Sequence, residues 1–368
     1  MSFSLTLSVE AQLLRQSLRQ QILTISASEP NRDTFELLAL AIFRYQATYN
    51  PIYSRYIRQL NVQPAQVTEL RRVPFMPISF FRTHVILTGL GINTSNTLTF
   101  ASSGTTGEQT SRHYVPDSDL YDTISTRIFE QAYGPLHNFH ILALLPSYLE
   151  RNNSSLVYMV QRFMEQTTSN QPGKSTAGES TTGFFLHNHQ ELTEHLRQLT
   201  QQEDSKNILL IGVTFGLLDW AESDQDLSFL GNQSNLIVME TGGMKGRRKE
   251  LLREEVHEIL TDRLGIRTIH SEYGMTELLS QAYSPGGGVF RPTSTLRVFL
   301  RDINDPFLVY PDTYTRTGGI NVVDLANLDS CSFVETQDLG QYVGENADFR
   351  VIGRFDNSDV RGCNLMVL

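Results

Sequence analysis

The stretch NILLIGVTF, residues 207–215, decides the fold class, because it is a short apolar run without a polar face. Similar runs lie on either side of it, FHILALLP at 139–146 and NLIVMETGG at 235–243. Longer amphipathic segments separate these runs, including SSLVYMVQRFMEQ and GRRKELLREEVHEILTDRLG. Short buried strands that alternate with helices are typical of β-α-β units and of a mostly parallel sheet. The sequence therefore predicts an α/β fold.

Different patterns flank this central region. Near the start of the chain, Leu14, Leu18 and Ile22 recur at intervals of four and predict one face of a packing helix. After about residue 285 the chain becomes rich in Thr, Val, Asp and turn residues. These segments predict a more antiparallel, β-rich end region.

The composition excludes several classes of protein. The 368 residues carry a formal net charge of −10, whereas general binders of nucleic acid or acidic membranes need a basic field. No run approaches the ~18 apolar residues of a membrane span, and the first residues lack the basic-then-apolar order of a secretory signal. The two cysteines, Cys331 and Cys363, are too few for a disulfide framework or a cysteine zinc site. We expect a cytoplasmic globular protein that captures any anionic ligand through local geometry.

A loop rich in hydroxyl groups and glycine, SSGTTG, follows the apolar Phe100. It consists of Ser102, Ser103, Gly104, Thr105, Thr106 and Gly107. Glycine lets the backbone approach a ligand, and hydroxyls donate hydrogen bonds without adding charge, so this loop could wrap a triphosphate. Arg112 follows within reach as a counter-charge. A solvated hairpin turn has a similar composition, and the hexapeptide alone does not separate the two interpretations.

The segment HSEYGMTELLSQAY, residues 270–283, follows a strand-like run and contains a second candidate site. Glu277 could hold Mg²⁺, since that ion takes oxygen ligands and shares them with nucleotide phosphates. Thr276 could contact a phosphate, and Tyr273 could stack on a nucleobase. The alternative is a strand end followed by an ordinary helix that Thr276 caps.

The segment METGG ends a predicted buried strand and leads into a predicted helix. The carboxyl end of such a strand is where open α/β sheets bind ligands, and Gly242 and Gly243 lie there. The basic residues Lys245 and Arg247 follow them. These side chains could face an anion or form a solvated first turn, and both interpretations stay open.

Two later residues could bind a sugar. Asp338 lies in ETQDLG, which we expect to be a loop, and its carboxylate could accept both hydroxyls of a ribose. Arg354, in GRFD, could bind sugar or phosphate through its planar fork. An Arg–Asp pair that closes a turn explains either residue equally well.

The order of these motifs is more informative than any one of them. SSGTTG, YGMTE, QDLG and GRFDNSDVRG resemble motifs of the adenylate-forming superfamily, whose members activate carboxylic acids as acyl-AMP with ATP and Mg²⁺. The sequence is most similar to the acyl-protein synthetase family, the ligase component of the bacterial bioluminescence fatty-acid reductase complex and its homologues. RTHVILTG, LLPSYLERNNSSLVYM and METGGMKGRRKEL share this likeness, which extends over nearly the whole chain.

The resemblance implies a role for each motif. Residues 102–107 would bind phosphate, Thr276 would contact phosphate and Glu277 would hold Mg²⁺. Asp338 and Arg354 would bind the ribose. Gly242, Gly243 and Tyr273 would border the adenine, and Gly274 and Met275 would also belong to the nucleotide-binding residues.

The resemblance also implies an architecture, a large domain like that of adenylate-forming enzymes with mostly parallel sheets flanked by helices and a β-rich C-terminal part. We expect a helical N-terminal region packed on the core (1–98), an α/β nucleotide-binding core (99–284), a β-rich subdomain (285–356) and a C-terminal tail (357–368). The usual small C-terminal domain with its catalytic Lys is expected to be absent, since no Lys follows Asp356. Lys245, Arg112 or Arg247, or a partner subunit, would then supply the missing charge.

Cys363, in RGCNLMVL, resembles the cysteine near the C-terminus that receives the acyl group in the luminescence synthetase. A thiolate attacks an acyl-phosphate anhydride readily, and the resulting thioester stays reactive enough to pass the group on. The alternative is a buried structural cysteine, which is the environment we expect for Cys331.

Together these likenesses predict an ATP-dependent acid–thiol ligase. It would deliver an acyl group, with a fatty acid as the expected class, to an acyl-CoA-reductase-like partner or another acceptor. Two alternatives are a ligase that transfers the adenylate directly to coenzyme A or a carrier protein, and a non-catalytic nucleotide-binding subunit. The sequence leaves the identity of the acid and any homo-oligomer open.

Overall fold

The computed structural model describes most of the chain, and every structural statement below concerns that part. The described residues are 8–25, 32–89, 97–102, 110–147, 150–169, 182–202, 205–242, 251–344 and 346–355. In chain order the helices are α1 (Val9–Thr24), α2 (Arg32–Tyr49), α3 (Pro51–Gln59), α4 (Phe80–Thr83), α5 (Ser118–Tyr133), α6 (Ser155–Ser169), α7 (His189–Gln201), α8 (Thr214–Ala221) and α9 (Arg253–Leu264). The strands are β1 (Met76–Pro77), β2 (Leu98–Ala101), β3 (Arg112–Val115), β4 (Phe139–Leu144), β5 (Gly183–Phe184), β6 (Asn207–Gly212), β7 (Leu236–Glu240), β8 (His270–Tyr273), β9 (Ala282–Ser284), β10 (Leu296–Arg301), β11 (Gly318–Asp324), β12 (Phe333–Val343) and β13 (Asp348–Arg354).

A six-stranded sheet forms the central layer, with the strand order β5-β4-β6-β7-β8-β9. Its first five strands are parallel, and β9 is antiparallel to β8. Alternate residues of β4 and β6 point into different apolar clusters: Ile141 and Leu209 face one, whereas Leu142 and Leu210 face the other. Both faces of these strands are buried, which explains why the two runs are apolar throughout. The α/β prediction is confirmed.

A second sheet contains the later strands in the order β1-β12-β11-β10, with β13 also paired to β12. The pairs among β10, β11, β12 and β13 are antiparallel, so the predicted change of character after residue 285 is confirmed. The short β1 comes from the N-terminal region and pairs parallel with β12. The N-terminal segment therefore supplies a strand to the C-terminal sheet as well as helices to the core.

Three local predictions from the sequence are wrong. Leu14 is exposed, because the buried face of α1 follows Ala11, Leu18 and Ile22 instead. Asp338 lies inside β12, where side chains alternate between buried and half-buried positions, and not in a loop. The segment after Tyr273 forms a turn that leads into β9 rather than a helix.

A buried loop after β11 joins the N-terminal helices to the two sheets. Gln46 of α2 donates from Nε2 to the carbonyls of Asn327 and Leu328, at 2.8 and 3.1 Å. Asn50, the N-cap of α3, donates from Nδ2 to the carbonyl of Ser330 at 2.9 Å. Side-chain amides thus satisfy carbonyls that would otherwise be buried without partners.

The carboxylate of Asp324, at the end of β11, is the most densely bonded group of this loop. It accepts hydrogen bonds from the backbone amides of Leu279, Ser280 and Ala326 at 2.7, 2.9 and 3.0 Å, and from the Ser280 hydroxyl. Burial raises the pKa of Asp324, and these four donors act against that rise. The carboxylate fixes the segment after β8 to the second sheet.

None of the helices in the described ranges is both long and apolar enough to cross a bilayer.

We predict that Asp324→Ala destabilises the protein by about 3 kcal/mol or more, because several buried N–H groups lose their acceptor together. The measurement is the free energy of unfolding from urea denaturation, compared with Asp305→Ala. Asp305 accepts the Phe307 amide in an exposed turn, so its loss should cost less than about 1 kcal/mol. Equal effects of the two substitutions would contradict the role assigned to Asp324.

Candidate active site

A cavity of about 200 Å³ lies at the carboxyl edge of the six-stranded sheet. Val213 follows β6, Gly242 follows β7 and Gly274 follows β8, and all three residues line this central cavity. Neighbouring parallel strands end at the same edge, and open α/β sheets bind ligands there. The structure brings together four residues that the sequence singled out, namely Gly242, Gly274, Met275 and Thr276.

The turn after β8, residues 274–281, forms one wall of the central cavity and is held mainly through its backbone. His113 of β3 contacts the Thr276 carbonyl from ring Nδ1 at 2.9 Å. Asn327 donates from Nδ2 to the carbonyl of Glu277 at 2.8 Å. With the contacts of Asp324, strand β3 and the end of β11 with its following loop fix this turn, while Thr276 stays at the cavity wall.

The predicted phosphate loop connects β2 to β3, which pair as an antiparallel hairpin. Ser102 and Ser111 close its base, since the Ser102 amide donates to the Ser111 carbonyl at 3.1 Å and the Ser111 amide donates to Ser102 Oγ at 3.0 Å. Ala101, next to this base, lines the central cavity. Arg112, the register partner of Ala101, is exposed. The base of the loop therefore lies next to the cavity.

Glu277 is buried close to the same base. The Ser111 hydroxyl hydrogen-bonds its carboxylate, and the positive charges of Arg354 and Arg82 act on it. Burial is the largest effect and raises the pKa of Glu277, whereas these neighbours lower it. Arg82 belongs to the RTHVILTG segment, to which the sequence assigned no function.

The described residues contain no group of three or more His, Cys, Asp or Glu side chains that could hold a metal ion. A single carboxylate beside a hydroxyl nevertheless fits Mg²⁺, because this ion keeps several waters and takes one or two carboxylates together with substrate phosphates. Glu277 and its neighbour Ser111 have that chemistry.

Asp338 and Arg354 face each other across β12 and β13. The Arg354 Nε lies 3.2 Å from Asp338 Oδ1, and the Tyr273 hydroxyl donates to Asp338 Oδ2 at 2.9 Å. Tyr273 itself is buried against Phe290 and Phe349. Of the two predicted sugar-binding residues, Asp338 is buried, whereas two thirds of the Arg354 side chain is exposed.

Glu240 anchors the start of the loop after β7, and no sequence motif indicated this role. Its carboxylate accepts a hydrogen bond from Arg253 Nε at 2.9 Å and another from the Gly242 amide at 2.6 Å. Although burial acts in the opposite direction, hydrogen bonds and the Arg253 charge lower the pKa of Glu240 to about 2. Gly242 has a φ of +74°, which glycine adopts without strain, so the carboxylate can bind an amide just two residues away.

Several predicted residues lie outside the described part of the chain. They are Ser103, Gly104, Thr105, Thr106, Gly107, Gly243, Lys245, Arg247, Asp356 and Cys363. The other cysteine, Cys331, is fully buried as predicted, and burial raises the pKa of its thiol to about 12. That thiol is a poor nucleophile at neutral pH.

The sequence also missed two buried polar side chains that line the central cavity, Glu272 and Gln281. Glu272 precedes the YGMTE motif by one residue, and that proximity was the only signal for it. Gln281 carried no signal, because a glutamine before an apolar strand is usually a surface residue.

A protein-family model described as "Acyl-protein synthetase, LuxE" matches residues 18–368. A search of curated proteins finds no match to the chain. The family match extends over the two sheets, the central cavity and the hairpin base.

His113 gives a test of how the hairpin is tied to the turn. Its ring is fully buried, and burial lowers its pKa to about 4, below the ordinary value of 6.5. Because the unfolded chain takes up the proton first, this group makes the folded state lose stability as the pH falls from about 6.5 to about 4. Above pH 6.5 both states are neutral, and the contribution does not change.

We predict that His113→Gln reduces this acid-induced loss of stability by about 3 kcal/mol, the value of about 2.5 pKa units. The measurement is the urea unfolding free energy between pH 4 and pH 7.5, with exposed His84 replaced by Gln as the control. An unchanged pH profile in His113→Gln would mean that His113 is not buried in its neutral form.

Proposed function

We propose that this chain, which belongs to the acyl-protein synthetase family, activates a carboxylic acid with ATP as an acyl-adenylate and then accepts the acyl group on Cys363. Family membership implies acyl-protein synthetase activity. The adenylate, the cysteine carrier and the adenylate-forming fold of the large domain are our proposals. The observation that supports them most is that the carboxyl ends of three parallel strands, the turn after β8 and Ala101, next to the base of the Ser/Gly loop, all line one cavity.

In the first step, a carboxylate oxygen of the acid attacks the α-phosphorus of ATP. A new oxygen–phosphorus bond forms, the bond to the β-phosphate oxygen breaks, and pyrophosphate leaves. Backbone amides and hydroxyls of residues 102–107 and the Thr276 hydroxyl would bind the phosphate oxygens. Arg112, at the hairpin base, would add a positive charge, and Lys245 is a second candidate for that role.

Glu277 and Ser111 would hold Mg²⁺ together with the nucleotide phosphates. When bound, the ion would offset the negative charge that develops on the phosphates. A nearby cation also favours the ionised form of Glu277, whose pKa burial raises.

The nucleoside would lie beside the ends of β7 and β8, where Gly242, Gly243, Gly274 and Met275 would border the adenine. Asp338 and Arg354 would bind the ribose, since the free lone pairs of Asp338 can still accept hydroxyl groups. Tyr273 would border the adenine only through its rim, because its ring packs on Phe290 and Phe349. Its hydroxyl also orients the carboxylate of Asp338.

In the second step, the Cys363 thiolate attacks the acyl carbon of the adenylate. A carbon–sulfur bond forms, the bond to the phosphate oxygen breaks, and AMP leaves. The thioester would then pass its acyl group, with a fatty acid as the expected class, to a partner such as an acyl-CoA-reductase-like enzyme.

We predict that Glu277→Gln lowers acid-dependent exchange of pyrophosphate into ATP by about a hundredfold, because the site loses the charge that holds Mg²⁺. The measurement is exchange of labelled pyrophosphate with a panel of acids over a range of Mg²⁺ concentrations. Glu335→Gln is the control, since Glu335, on β12, is a partly buried carboxylate that lies near Arg301 of β10. Full exchange activity in Glu277→Gln would exclude the metal role.

We predict that Cys363→Ser abolishes a hydroxylamine-sensitive acyl-enzyme while leaving pyrophosphate exchange intact. The measurement is incorporation of labelled acid in the presence of ATP and Mg²⁺. Cys331→Ala is the matched control and should still be labelled, because the Cys331 thiol is buried.

Two results would replace the proposal with one of its alternatives. Equal labelling of wild type and Cys363→Ser, with consumption of coenzyme A, would favour direct transfer to that acceptor. Tight ATP binding without acid-dependent AMP release would favour a non-catalytic nucleotide-binding subunit.

A further inference from the structure

Strand β8 separates two environments, because successive side chains of a strand point to opposite faces. Tyr273 points to the face that carries Asp338, Phe290 and Phe349. Glu272, one residue earlier, lines the central cavity on the other side. The residues proposed to bind ribose and the carboxylate of Glu272 therefore lie on different sides of the strand.

Glu272 is a buried carboxyl group, only 7 % exposed. Burial raises its pKa to about 8, and the negative charge of Glu240 adds to the rise. No donor among the described residues offsets this effect. One of its oxygens occupies the space beside Gly274 that a Cβ atom would need, so the glycine makes room for this carboxyl group at the cavity.

Gln281 lies on the same face of the β8–β9 pair. Glu272 and Tyr283 are register partners, and Gln281 precedes Tyr283 by two residues. Its Nε2 donates to the Ser125 carbonyl at 3.3 Å and to Met159 Sδ at 3.0 Å. Its Oε1 is buried and meets no hydrogen-bond donor in good geometry among the described residues, and the Gln281 side chain also lies close enough to the Tyr283 hydroxyl to lower the pKa of that tyrosine.

The walls around this polar end include several apolar side chains, and Arg151, Ser154 and Ser155 also line the cavity. Leu156 and Met159 of α6, Tyr121 of α5, and Leu278 from the turn line the same cavity. An apolar pocket with a few convergent polar groups selects its ligand through those groups. The buried Gln281 Oε1 is an acceptor without a donor, and the Glu272 carboxyl, which its raised pKa keeps largely protonated at pH 7, can accept through one oxygen and donate through the other. This end of the cavity is therefore complementary to a ligand that brings a hydrogen-bond donor.

We propose that Glu272 and Gln281 select an acid whose acyl group carries a hydrogen-bond donor, a hydroxyl or an amino group, away from its carboxylate. The inference rests on the proposed function, since it assigns to the acid the end of the central cavity that Glu272 and Gln281 line. The ligand's donor meets Gln281 Oε1 and the Glu272 carboxyl, and its hydrocarbon part lies against the leucines, Met159 and Tyr121.

A purine amino group is a second source of such a donor. The position of Glu272 favours the acid, because the residues proposed for the ribose lie beyond the opposite face of β8. Separate kinetic constants for acid and ATP distinguish the two sources.

The experiment compares matched acids in the pyrophosphate exchange reaction. Octanoate is paired with 8-hydroxyoctanoate and 8-aminooctanoate, and benzoate is paired with its 4-hydroxy and 4-amino derivatives. We expect the donor-bearing member of at least one pair to exceed its plain analogue by about tenfold or more in kcat/KM, because a buried polar site discriminates against a ligand that leaves it unpaired.

The variants Glu272→Gln and Gln281→Leu should each reduce that preference, through a higher KM for the acid and an unchanged KM for ATP. Glu272→Gln is nearly isosteric, so it tests the site with little change in packing, and Glu335→Gln serves again as the control. If Glu272→Gln loses the preference for the amino derivatives but keeps the preference for the hydroxy derivatives, the result would support recognition of the amine through the negative charge of Glu272.

Three outcomes contradict the inference in different ways. Equal rates with plain and donor-bearing acids overturn it and leave the proposed function intact. A raised KM for ATP with an unchanged KM for the acid assigns the two residues to the purine and also overturns it. Exchange with none of the acids overturns the proposed function, and this inference with it.

Discussion

The buried loop after β11 is the constraint on which the rest of the structure depends. An irregular segment in a protein interior has no strand or helix to satisfy its amides and carbonyls, so side chains must do so. Here Gln46 and Asn50 provide donors for its carbonyls, while Asp324 accepts from amides on both sides. These partners come from α2, α3 and the turn after β8. The hydrogen bonds that satisfy the backbone of this one loop therefore fix the relative position of three parts of the chain.

The same constraint shapes the candidate site. The turn after β8 is held by Asp324, Asn327 and His113, and most of these contacts use its backbone. The half-buried side chains of Met275 and Thr276 therefore remain at the cavity wall, and a rigid backbone keeps them in place without a regular element. Binding groups that are fixed before the ligand arrives lose less conformational entropy when it binds.

One arginine connects the loop after β7 to the second sheet. Arg253, at the start of α9, donates to Glu240 at 2.9 Å and to the Val351 carbonyl at 3.2 Å. Its guanidinium also lies over the ring of Phe290. Because Glu240 binds the Gly242 amide as well, the loop after β7 and strand β13 share one anchor, and removing its charge would affect both.

The sequence by itself determined the order of the elements. Runs such as NILLIGVTF must be buried on both faces, and that requirement alone predicts parallel strands covered by helices. It also determined the burial of Cys331 and the place of Gly242 and Gly274 at strand ends, because short-range pattern is enough for these features.

Only the tertiary structure decided the rest. Asp338 resembles a loop residue by type. Its segment is nevertheless strand β12, because β11 and β13 pair antiparallel with it on either side. The turn after Tyr273 reads as a helix start until Asp324, 45 residues away from Leu279, captures its amides. Glu272 and Gln281 carry no local pattern that separates them from surface residues. Their burial and their shared cavity arise from strand pairing and from the helices packed around it, which are contacts between distant parts of the chain.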